Sequence, residues 1–484
     1  MKRISLFIFT HLSFLLSVIG AQSFDSEKTN LIIVYPDQMR GQAMGFVGQE
    51  PVQTPYLDRF ASQGLVLTEA VSNYPICSPT RASLMTGQYP QGHGVWGNSN
   101  TITAPFGYEL KETAQTWSDI LDNQGYSLGY IGKWHLDSPH APYINTLNNA
   151  GKVKWNEWTH PDRRHGFDFW YAYGTYDQHN KPMYWAGSAT RDSFNYVHQW
   201  GPEHETDLAI KYIKNENEVY RDPSQPFALM IAMNPPHMPY AAVPERYKAI
   251  YTDIPLDSLI QRPNIPAAGT KWGDYYRKHI RNYYAMITGV DEQFGRILNV
   301  LKKTGLEKNT IVLFSSDHGN CLGIHDQISK NNHYEESMRI PFIIRWPGKI
   351  NPRQDKLLIS TPDVFPTLLG LLGFTEKIMN EIDGIDYSSL FLSGENVRPR
   401  AQLYIYTPPG KIDMGRRGIR THQFTLMISR IESEADQITL YDNLSDMYQL
   451  NNIATERQDV IKELKGELKM WLEKTNDPWI KHLK

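Results

Sequence analysis

The stretch Leu31-Ile32-Ile33-Val34-Tyr35-Pro36-Asp37-Gln38 is a short apolar run that ends in polar residues. An apolar run of this length is typical of a strand that is buried on both faces of a sheet. Further strands are predicted at 65–71, 126–131, 227–233, 310–315 and 341–345, and helices at 56–62, 112–124, 206–220, 275–303 and 364–372. This alternation predicts an α/β fold in which a mostly parallel sheet is sandwiched by helices.

The pattern changes after Gly373, where short strands replace the alternation. Strands are predicted at 402–406, 423–428 and 437–441, followed by an amphipathic helix at 460–472. We therefore expect a large α/β domain over residues 22–374 and a smaller C-terminal α+β subdomain over residues 375–484. The subdomain is expected to contain a short antiparallel sheet and a helix.

The first 21 residues are predicted to be a signal peptide. Lys2 and Arg3 precede a mostly apolar stretch, and Ile19-Gly20-Ala21 fits a cleavage site. A membrane anchor is the alternative, but the stretch is short for a span and polar residues such as His11 interrupt it. We therefore expect cleavage, a periplasmic or secreted protein, and no stable insertion in a membrane.

The composition excludes one class of partner. The 484 residues include 49 basic and 52 acidic side chains, with no basic stripe, so nucleic acid is not an expected partner. The two cysteines, Cys77 and Cys321, are too few for a disulfide scaffold, although they could pair with each other. A free cysteine in an exported protein indicates that it has a chemical role.

Polar clusters directly follow four of the predicted strands. They are Asp37-Gln38, Lys133-Trp134-His135, Asn234-Pro235-Pro236-His237 and Asp317-His318-Gly319. In open α/β sheets, ligands bind beyond the carboxyl ends of the strands. The four clusters are therefore predicted to meet at one edge of the sheet and form a site.

The segment Cys77-Ser78-Pro79-Thr80-Arg81, with its continuation to Gly87, resembles the signature of type I sulfatases. Similar matches to that family are Gly132-Lys133-Trp134-His135, Pro236-His237, Ser316-Asp317-His318-Gly319, and Lys330 followed by Tyr334-Glu335-Glu336. The resemblance covers nearly all of the chain after the signal peptide. It implies the fold of the alkaline phosphatase superfamily, and its style is closest to bacterial polysaccharide and glycosaminoglycan sulfatases.

The family resemblance implies two unusual chemical groups. Cys77 would be oxidised by a maturation enzyme to formylglycine (3-oxoalanine), an aldehyde that hydrates to a diol. One calcium ion would be held by residue 77 together with Asp37, Gln38, Asp317 and His318. These donors are mostly oxygen atoms, which suit a hard cation, although the imidazole is softer than calcium normally prefers.

The resemblance also implies catalytic roles. One hydroxyl of hydrated residue 77, held by Arg81, attacks sulfur, while Lys133 and Lys330 stabilise charge on the transferring oxygens. His237 is expected to protonate the departing sugar oxygen, since an aliphatic alkoxide leaves poorly without a proton. His135 is expected to remove the second hydroxyl proton, which releases sulfate and restores the aldehyde.

The segment 155–200 is rich in aromatic residues and is predicted to form specificity loops. Aromatic faces beside polar groups suit a carbohydrate, although most of these rings are expected to form a small core under the insertion. Asp177 and His179 are candidate sugar contacts within this segment. His93, His325 and His333 are further candidates for substrate binding, with structural packing as the alternative.

The predicted function is removal of O-sulfate from a sulfated carbohydrate. One alternative is a formylglycine-dependent phosphonate monoester or phosphodiester hydrolase. Another is a non-catalytic protein that binds sulfated glycans and keeps Cys77 as a thiol. A two-metal phosphatase is disfavoured because Thr361-Pro362-Asp363-Val364-Phe365-Pro366-Thr367 carries no histidine for a second metal.

Overall fold

The structure is a computed structural model that describes residues 28–394, 397–430 and 436–483. The predicted signal peptide, residues 1–21, lies outside these residues. Within the described ranges, every helix is too short or too polar to span a lipid bilayer.

The large sheet confirms the predicted α/β class. Its ten strands within the described residues are β1 (Asn30–Val34), β2 (Leu65–Leu67), β3 (Ser127–Lys133), β4 (Phe169–Tyr173), β5 (Met183–Ala186), β6 (Asn195–Tyr196), β7 (Phe227–Ala232), β8 (Thr310–Ser315), β9 (Phe342–Arg345) and β10 (Arg353–Asp355). Their order is β10-β2-β9-β8-β1-β7-β3-β4-β5-β6. The neighbours β8, β1, β7, β3 and β4 are all parallel, and β9, β5 and β6 join antiparallel. The carboxyl ends of β1, β3, β7 and β8 therefore meet at one edge.

Helices cover both faces of this sheet. In chain order, the α-helices of the described residues are α1 (Pro55–Ala61), α2 (Cys77–Thr86), α3 (Pro90–His93), α4 (Trp117–Asn123), α5 (Gly201–Lys214), α6 (Glu245–Thr252), α7 (Lys271–Lys303), α8 (Glu335–Met338), α9 (Thr361–Leu372), α10 (Ser388–Ser393) and α11 (Gln458–Lys474), of which α11 belongs to the C-terminal region. Alternate residues of β1 point to opposite faces: Leu31 and Ile33 join the core beneath α2, α4 and α9, whereas Ile32 and Val34 join the core beneath α1, α5 and α7. This burial on both faces explains why the strand is apolar throughout.

The described residues of the C-terminal region form a separate antiparallel sheet of four strands. These are β11 (Ala401–Tyr406), β12 (Gly415–Thr421), β13 (Phe424–Arg430) and β14 (Gln437–Asp442), and α11 packs on the sheet through Leu464 and Leu468. The residues between 375 and 394 pack elsewhere, since Leu390 and Phe391 of α10 join the core of the large sheet.

The predicted helices all begin at slightly different residues in the structure, and the difference is largest for two of them. The prediction of a helix over 112–124 is wrong at its start: α4 begins at Trp117 because Thr116 and Asp119 form a reciprocal capping box there. The prediction over 206–220 is displaced, since α5 begins at Gly201 and ends at Lys214, where Asn215 caps it in a left-handed conformation with φ of 50°.

Candidate active site

Helix α2 places Cys77 and Arg81 at the carboxyl edge of the sheet. Ile76 is extended, and the helix begins at Cys77, so residue 77 occupies the first helical position. Arg81 follows four residues later and therefore lies on the same helical face. All ten residues of α2 are buried. The helix ends at Gly87, whose φ of 69° and contact with the Phe365 ring leave no room for a Cβ atom.

Four potential metal ligands converge beside this helix. The ligand atoms of Asp37, Cys77, Asp317 and His318 all lie within 4.8 Å of one another, and all four residues are buried. His318 donates its Nδ1 proton to the Gly319 carbonyl at 3.0 Å, so its Nε2 lone pair is directed to the cluster. Nε2 lies 3.5 Å from Cys77 Sγ. This donor set fits a cation, since the two buried carboxylates face each other.

Gln38 adopts an unusual backbone conformation next to this cluster. Its φ is 68°, and its backbone N–H donates to Asp317 Oδ1 at 3.0 Å. Its side-chain amide is oriented by two partners: Oε1 accepts from Lys330 Nζ at 2.9 Å, and Nε2 donates to the Tyr240 hydroxyl at 3.2 Å. The amide oxygen therefore faces the ammonium group that also contacts Cys77.

Three cationic side chains surround the carboxylates and the thiol. Arg81 donates to Asp37 Oδ2 and to Asp317 Oδ2, each at 3.0 Å. Lys133 Nζ lies 2.7 Å from Asp37 Oδ2 and 3.7 Å from Cys77 Sγ. Lys330 Nζ lies 3.3 Å from the same sulfur atom. An anion bound next to residue 77 would therefore be contacted by two ammonium groups.

These charges shift the pKa values of the buried groups. Burial raises the pKa of Asp37, but Lys133 and Lys330 outweigh it and hold the pKa well below its usual range. Burial, together with the charge of Asp37, raises the pKa of Asp317. Burial and Asp37 also raise the pKa of the Cys77 thiol, yet the two lysines bring it well below the usual value. The site is thus tuned to hold negative charge at residue 77 and Asp37.

Two histidines flank the cluster. His135 follows β3 with a φ of 55°, and its Nε2 donates to the Ser99 carbonyl at 3.2 Å. Its Nδ1 is buried and has no hydrogen-bond partner within the described residues, and burial lowers its pKa. His237 follows β7, and its Nδ1 donates to the Met238 carbonyl at 2.8 Å. Both rings therefore have a fixed tautomer and one nitrogen left for proton exchange.

Asp177 and His179 lie next to His237. Asp177 Oδ1 is 3.3 Å from His237 Nδ1, and His179 Nε2 donates to the backbone carbonyl of His237 at 2.8 Å. Burial lowers the pKa of His179 to about 4, so the ring is neutral near pH 7. Asp177 and His179, the two residues of this segment that are predicted to contact sugar, therefore both contact the catalytic candidate His237.

The other three predicted substrate residues make close contacts with protein groups. The His93 ring lies between Ser83 Oγ, at 3.2 Å, and the Val95 backbone N–H, at 3.0 Å, and burial lowers its pKa to about 3. His325 stacks on Tyr334 at 3.8 Å and lies 3.2 Å from Glu336. His333 packs against Tyr334 and Tyr441, and burial lowers its pKa to about 3. These contacts favour packing roles for all three histidines.

Two residues at the site, Asn234 and Tyr240, were assigned no role from the sequence, although Asn234 belongs to one of the four predicted polar clusters. Asn234 accepts from Lys133 Nζ at 3.3 Å and donates to Asp177 Oδ1 at 3.1 Å, so it links the two groups. Asn234 lies just after β7, as Asp37 lies just after β1, and this position could have indicated a role at the site. Tyr240 contacts Gln38 and, at 3.1 Å, Asn320, and nothing in its local sequence indicated this.

Comparison with known proteins gives consistent matches over most of the chain. The sequence model of the sulfatase family matches residues 29–374, and a model described as N-sulphoglucosamine sulphohydrolase, C-terminal, matches residues 323–476. An endo-4-O-sulfatase of Bacteroides thetaiotaomicron is 40% identical, covering 94% of each chain. An ulvan-active sulfatase of Formosa agariphila is 32% identical over 89% of this chain and 78% of its own.

A solved structure described as a sulfatase, yidJ of Bacteroides fragilis, superposes with a TM-score of 0.91. It is 50% identical, and the match covers 96% of this chain and 100% of that one. The chain therefore belongs to the sulfatase family, with the fold of the alkaline phosphatase superfamily. It is a sulfatase, an enzyme that hydrolyses sulfate esters.

Proposed function

We propose that the enzyme removes O-sulfate from a sulfated carbohydrate, using a formylglycine at position 77 and one calcium ion. The observation that carries this proposal is the convergence of two carboxylates, one imidazole and two ammonium groups on the Cys77 sulfur atom. The names of two relatives, the endo-4-O-sulfatase and the ulvan-active sulfatase, support a carbohydrate as the substrate.

Calcium fits the donors at this site. Asp37, Gln38 and Asp317 offer oxygen atoms, which a hard cation prefers, and His318 and residue 77 complete the set. Bound there, calcium would supply positive charge that polarises residue 77 and the sulfate oxygens. It would also offset the repulsion between Asp37 and Asp317.

Residue 77 provides the nucleophile in this proposal. Hydrated formylglycine would supply one hydroxyl that attacks sulfur as an oxyanion, with Lys133 and Lys330 offsetting its charge, while the bond from sulfur to the sugar oxygen breaks. Loss of the proton of the second hydroxyl would then form the aldehyde C=O bond as the C–O bond to the sulfate group breaks and sulfate leaves. Arg81 and Lys133 fix Asp37 beside this position at 3.0 and 2.7 Å. His135, with a buried Nδ1 that has no partner within the described residues, accepts the proton of the second hydroxyl.

The remaining residues stabilise charge and protonate the leaving group. Lys133 and Lys330 lie 3.7 and 3.3 Å from the Cys77 sulfur atom, where they would contact the oxygens of the transferring group. His237 donates a proton from Nε2 to the departing sugar oxygen, since its Nδ1 already donates to the Met238 carbonyl.

We also propose that the protein is exported to the periplasm or secreted. The charged and apolar pattern of residues 1–21 supports this.

The proposal predicts that Cys77→Ala abolishes turnover of sulfated mono- and disaccharides. Cys321→Ala is the matched control, because Cys321 is also buried but contacts Asn332 rather than the site. The measurement is sulfate release from a panel of sulfated sugars, with small aryl sulfates beside them. Substantial activity in Cys77→Ala, or wild-type activity on aryl sulfates alone, would contradict the proposal.

A further inference from the structure

His237 is held from two sides by one short segment, residues 176–179. The Asp177 carboxylate lies 3.3 Å from the ring at Nδ1, and the His179 ring donates to the backbone carbonyl at 2.8 Å. The segment therefore fixes both the ring and the backbone of His237. An arrangement that only bound sugar would not require either contact.

The Asp177 side chain is itself fixed by protein groups. Asn148 Nδ2 donates to Asp177 Oδ2 at 2.8 Å, and Asn148 Oδ1 accepts from the Asp177 backbone N–H at 3.1 Å. Asn234 Nδ2 donates to Asp177 Oδ1 at 3.1 Å. Both carboxylate oxygens thus have protein donors, and the carboxylate is oriented towards His237 before any substrate arrives.

The contacts at Nδ1 determine which nitrogen of His237 exchanges a proton. The Met238 carbonyl accepts at 2.8 Å, and the Asp177 carboxylate also can only accept, so Nδ1 carries the proton. Nε2 therefore transfers the proton. When Nε2 is also protonated, the ring is a cation, and the negative charge of Asp177 stabilises it in the way that a carboxylate stabilises the histidine of a catalytic triad.

We propose that Asp177 is a positioning residue that acts through His237 and is not a sugar contact. This inference rests on the proposed function, in which His237 is the acid for the leaving group. Burial raises the pKa of Asp177, but His237 and Lys133 outweigh burial and hold the pKa well below its usual range, so the carboxylate carries its charge near neutral pH.

Leaving-group dependence distinguishes positioning from sugar binding. Alkyl sulfates need a proton on the departing oxygen, whereas nitrophenyl sulfates leave as stable anions and need little help. Asp177→Asn is therefore expected to lower kcat on an alkyl sugar sulfate by about 10- to 100-fold. On nitrophenyl sulfate the loss should be within about 3-fold, and KM for the sugar sulfate should change by a similarly small factor.

The experiment compares kcat and KM over a series of sulfate esters, from nitrophenyl through phenyl to alkyl sugar sulfates. The variants are Asp177→Asn, His237→Ala, and the double variant. Asp192→Asn is the control, because Asp192 is an exposed aspartate of the aromatic segment 155–200. The proposal predicts that both single variants steepen the dependence on leaving-group pKa. In the double variant, Asp177→Asn should add no further loss to that of His237→Ala.

Three results would overturn the inference. They are an equal loss on all esters, a loss confined to KM for the sugar, and a full additional loss in the His237→Ala background. Failure of the proposed function would look different, since Cys77→Ala would then retain activity whatever Asp177→Asn does. The phenyl members of the series keep the comparison informative even if alkyl esters are slow substrates.

Discussion

At the scale of single residues, the site is a balance of buried charges. Asp37 and Asp317 share the Arg81 guanidinium at 3.0 Å, and Asp37 has a further ion pair with Lys133 at 2.7 Å. The charge of Asp317 is therefore balanced by fewer cationic side chains than that of Asp37. This agrees with the raised pKa of Asp317, which is caused by burial and by the charge of Asp37. A divalent cation held by this ligand set would add positive charge next to Asp317 as well as Asp37.

Calcium should therefore stabilise the folded protein as well as support activity. Adding calcium to chelator-treated protein should raise Tm, because a ligand that binds the folded state adds about 2.7 kcal/mol at 100 times its Kd. Asp317→Asn should reduce this shift, and magnesium should give a smaller one, since it holds its water more tightly. Differential scanning fluorimetry measures the effect, and an unchanged Tm with calcium would refute this site.

The sequence predicted part of the site because one rule applies to four strands. Asp37, His237 and Asp317 each follow a strand and Lys133 ends one, and the topology brings those strand ends together. The prediction of Lys330 depended on the family pattern, because Lys330 lies on a loop and is far in the sequence from the end of any strand. The contacts of His325 and His333 could not be predicted, because their partners, Tyr334 and Tyr441, come from two different parts of the fold.

At the scale of elements, apolar strands were predictable and charged ones were not. Strand β8 covers Thr310–Ser315, as predicted, because it is apolar and buried on both faces. Strand β12, Gly415–Thr421, was missed because its arginines and glycines suggest an exposed loop. In the structure Arg417 is buried against Asp477 at 2.6 Å, and Arg420 against Glu335 at 3.1 Å. Those partners are distant in sequence.

Glu205 gives a prediction for the packing of α5 against the large sheet. Its buried carboxyl accepts from the Tyr184 hydroxyl of β5 at 3.0 Å, and burial raises its pKa to about 8. A raised pKa means that the proton binds the folded state more tightly. The resulting stability is fully present below the unfolded pKa of about 4.3 and is lost as the pH rises through about 8.

The free energy of unfolding of the wild type should therefore decrease between pH 5 and pH 8.5. In Glu205→Gln this decrease should be smaller by about 2–5 kcal/mol. Glutamine imitates the protonated carboxyl and cannot ionise. Urea unfolding at several pH values measures the difference, with the exposed Glu216→Gln as the control from the adjacent turn. Parallel pH profiles for wild type and Glu205→Gln would show that Glu205 does not titrate in this way.

At the scale of the whole molecule, the two sheets share an apolar interface. Tyr74, Tyr89 and Trp96, which come from the part before residue 375, belong to the same core as Leu403 and Leu468 of the C-terminal part. A shared core of this kind ties the stability of each part to the other. The C-terminal sheet also reaches the site region, since Arg420 pairs with Glu335, five residues after Lys330.

The described parts should therefore unfold in one cooperative transition. Arg420→Met should lower stability by about 3–5 kcal/mol, because Glu335 would remain buried without its partner. The Arg420→Met variant should still unfold in a single transition, whose midpoint shifts by the same amount for both regions. Urea unfolding followed by tryptophan fluorescence and by circular dichroism tests this, and two separate transitions would show that the regions fold independently.

The account depends most on the chemical state of residue 77. Mass spectrometry of the tryptic peptide that ends at Arg81, from active protein of the native host, tests it directly. We expect the fraction of molecules that carry an aldehyde at residue 77 to rise and fall with the specific activity of the preparation. A fully active preparation in which every molecule carries an unmodified thiol at residue 77 would contradict it.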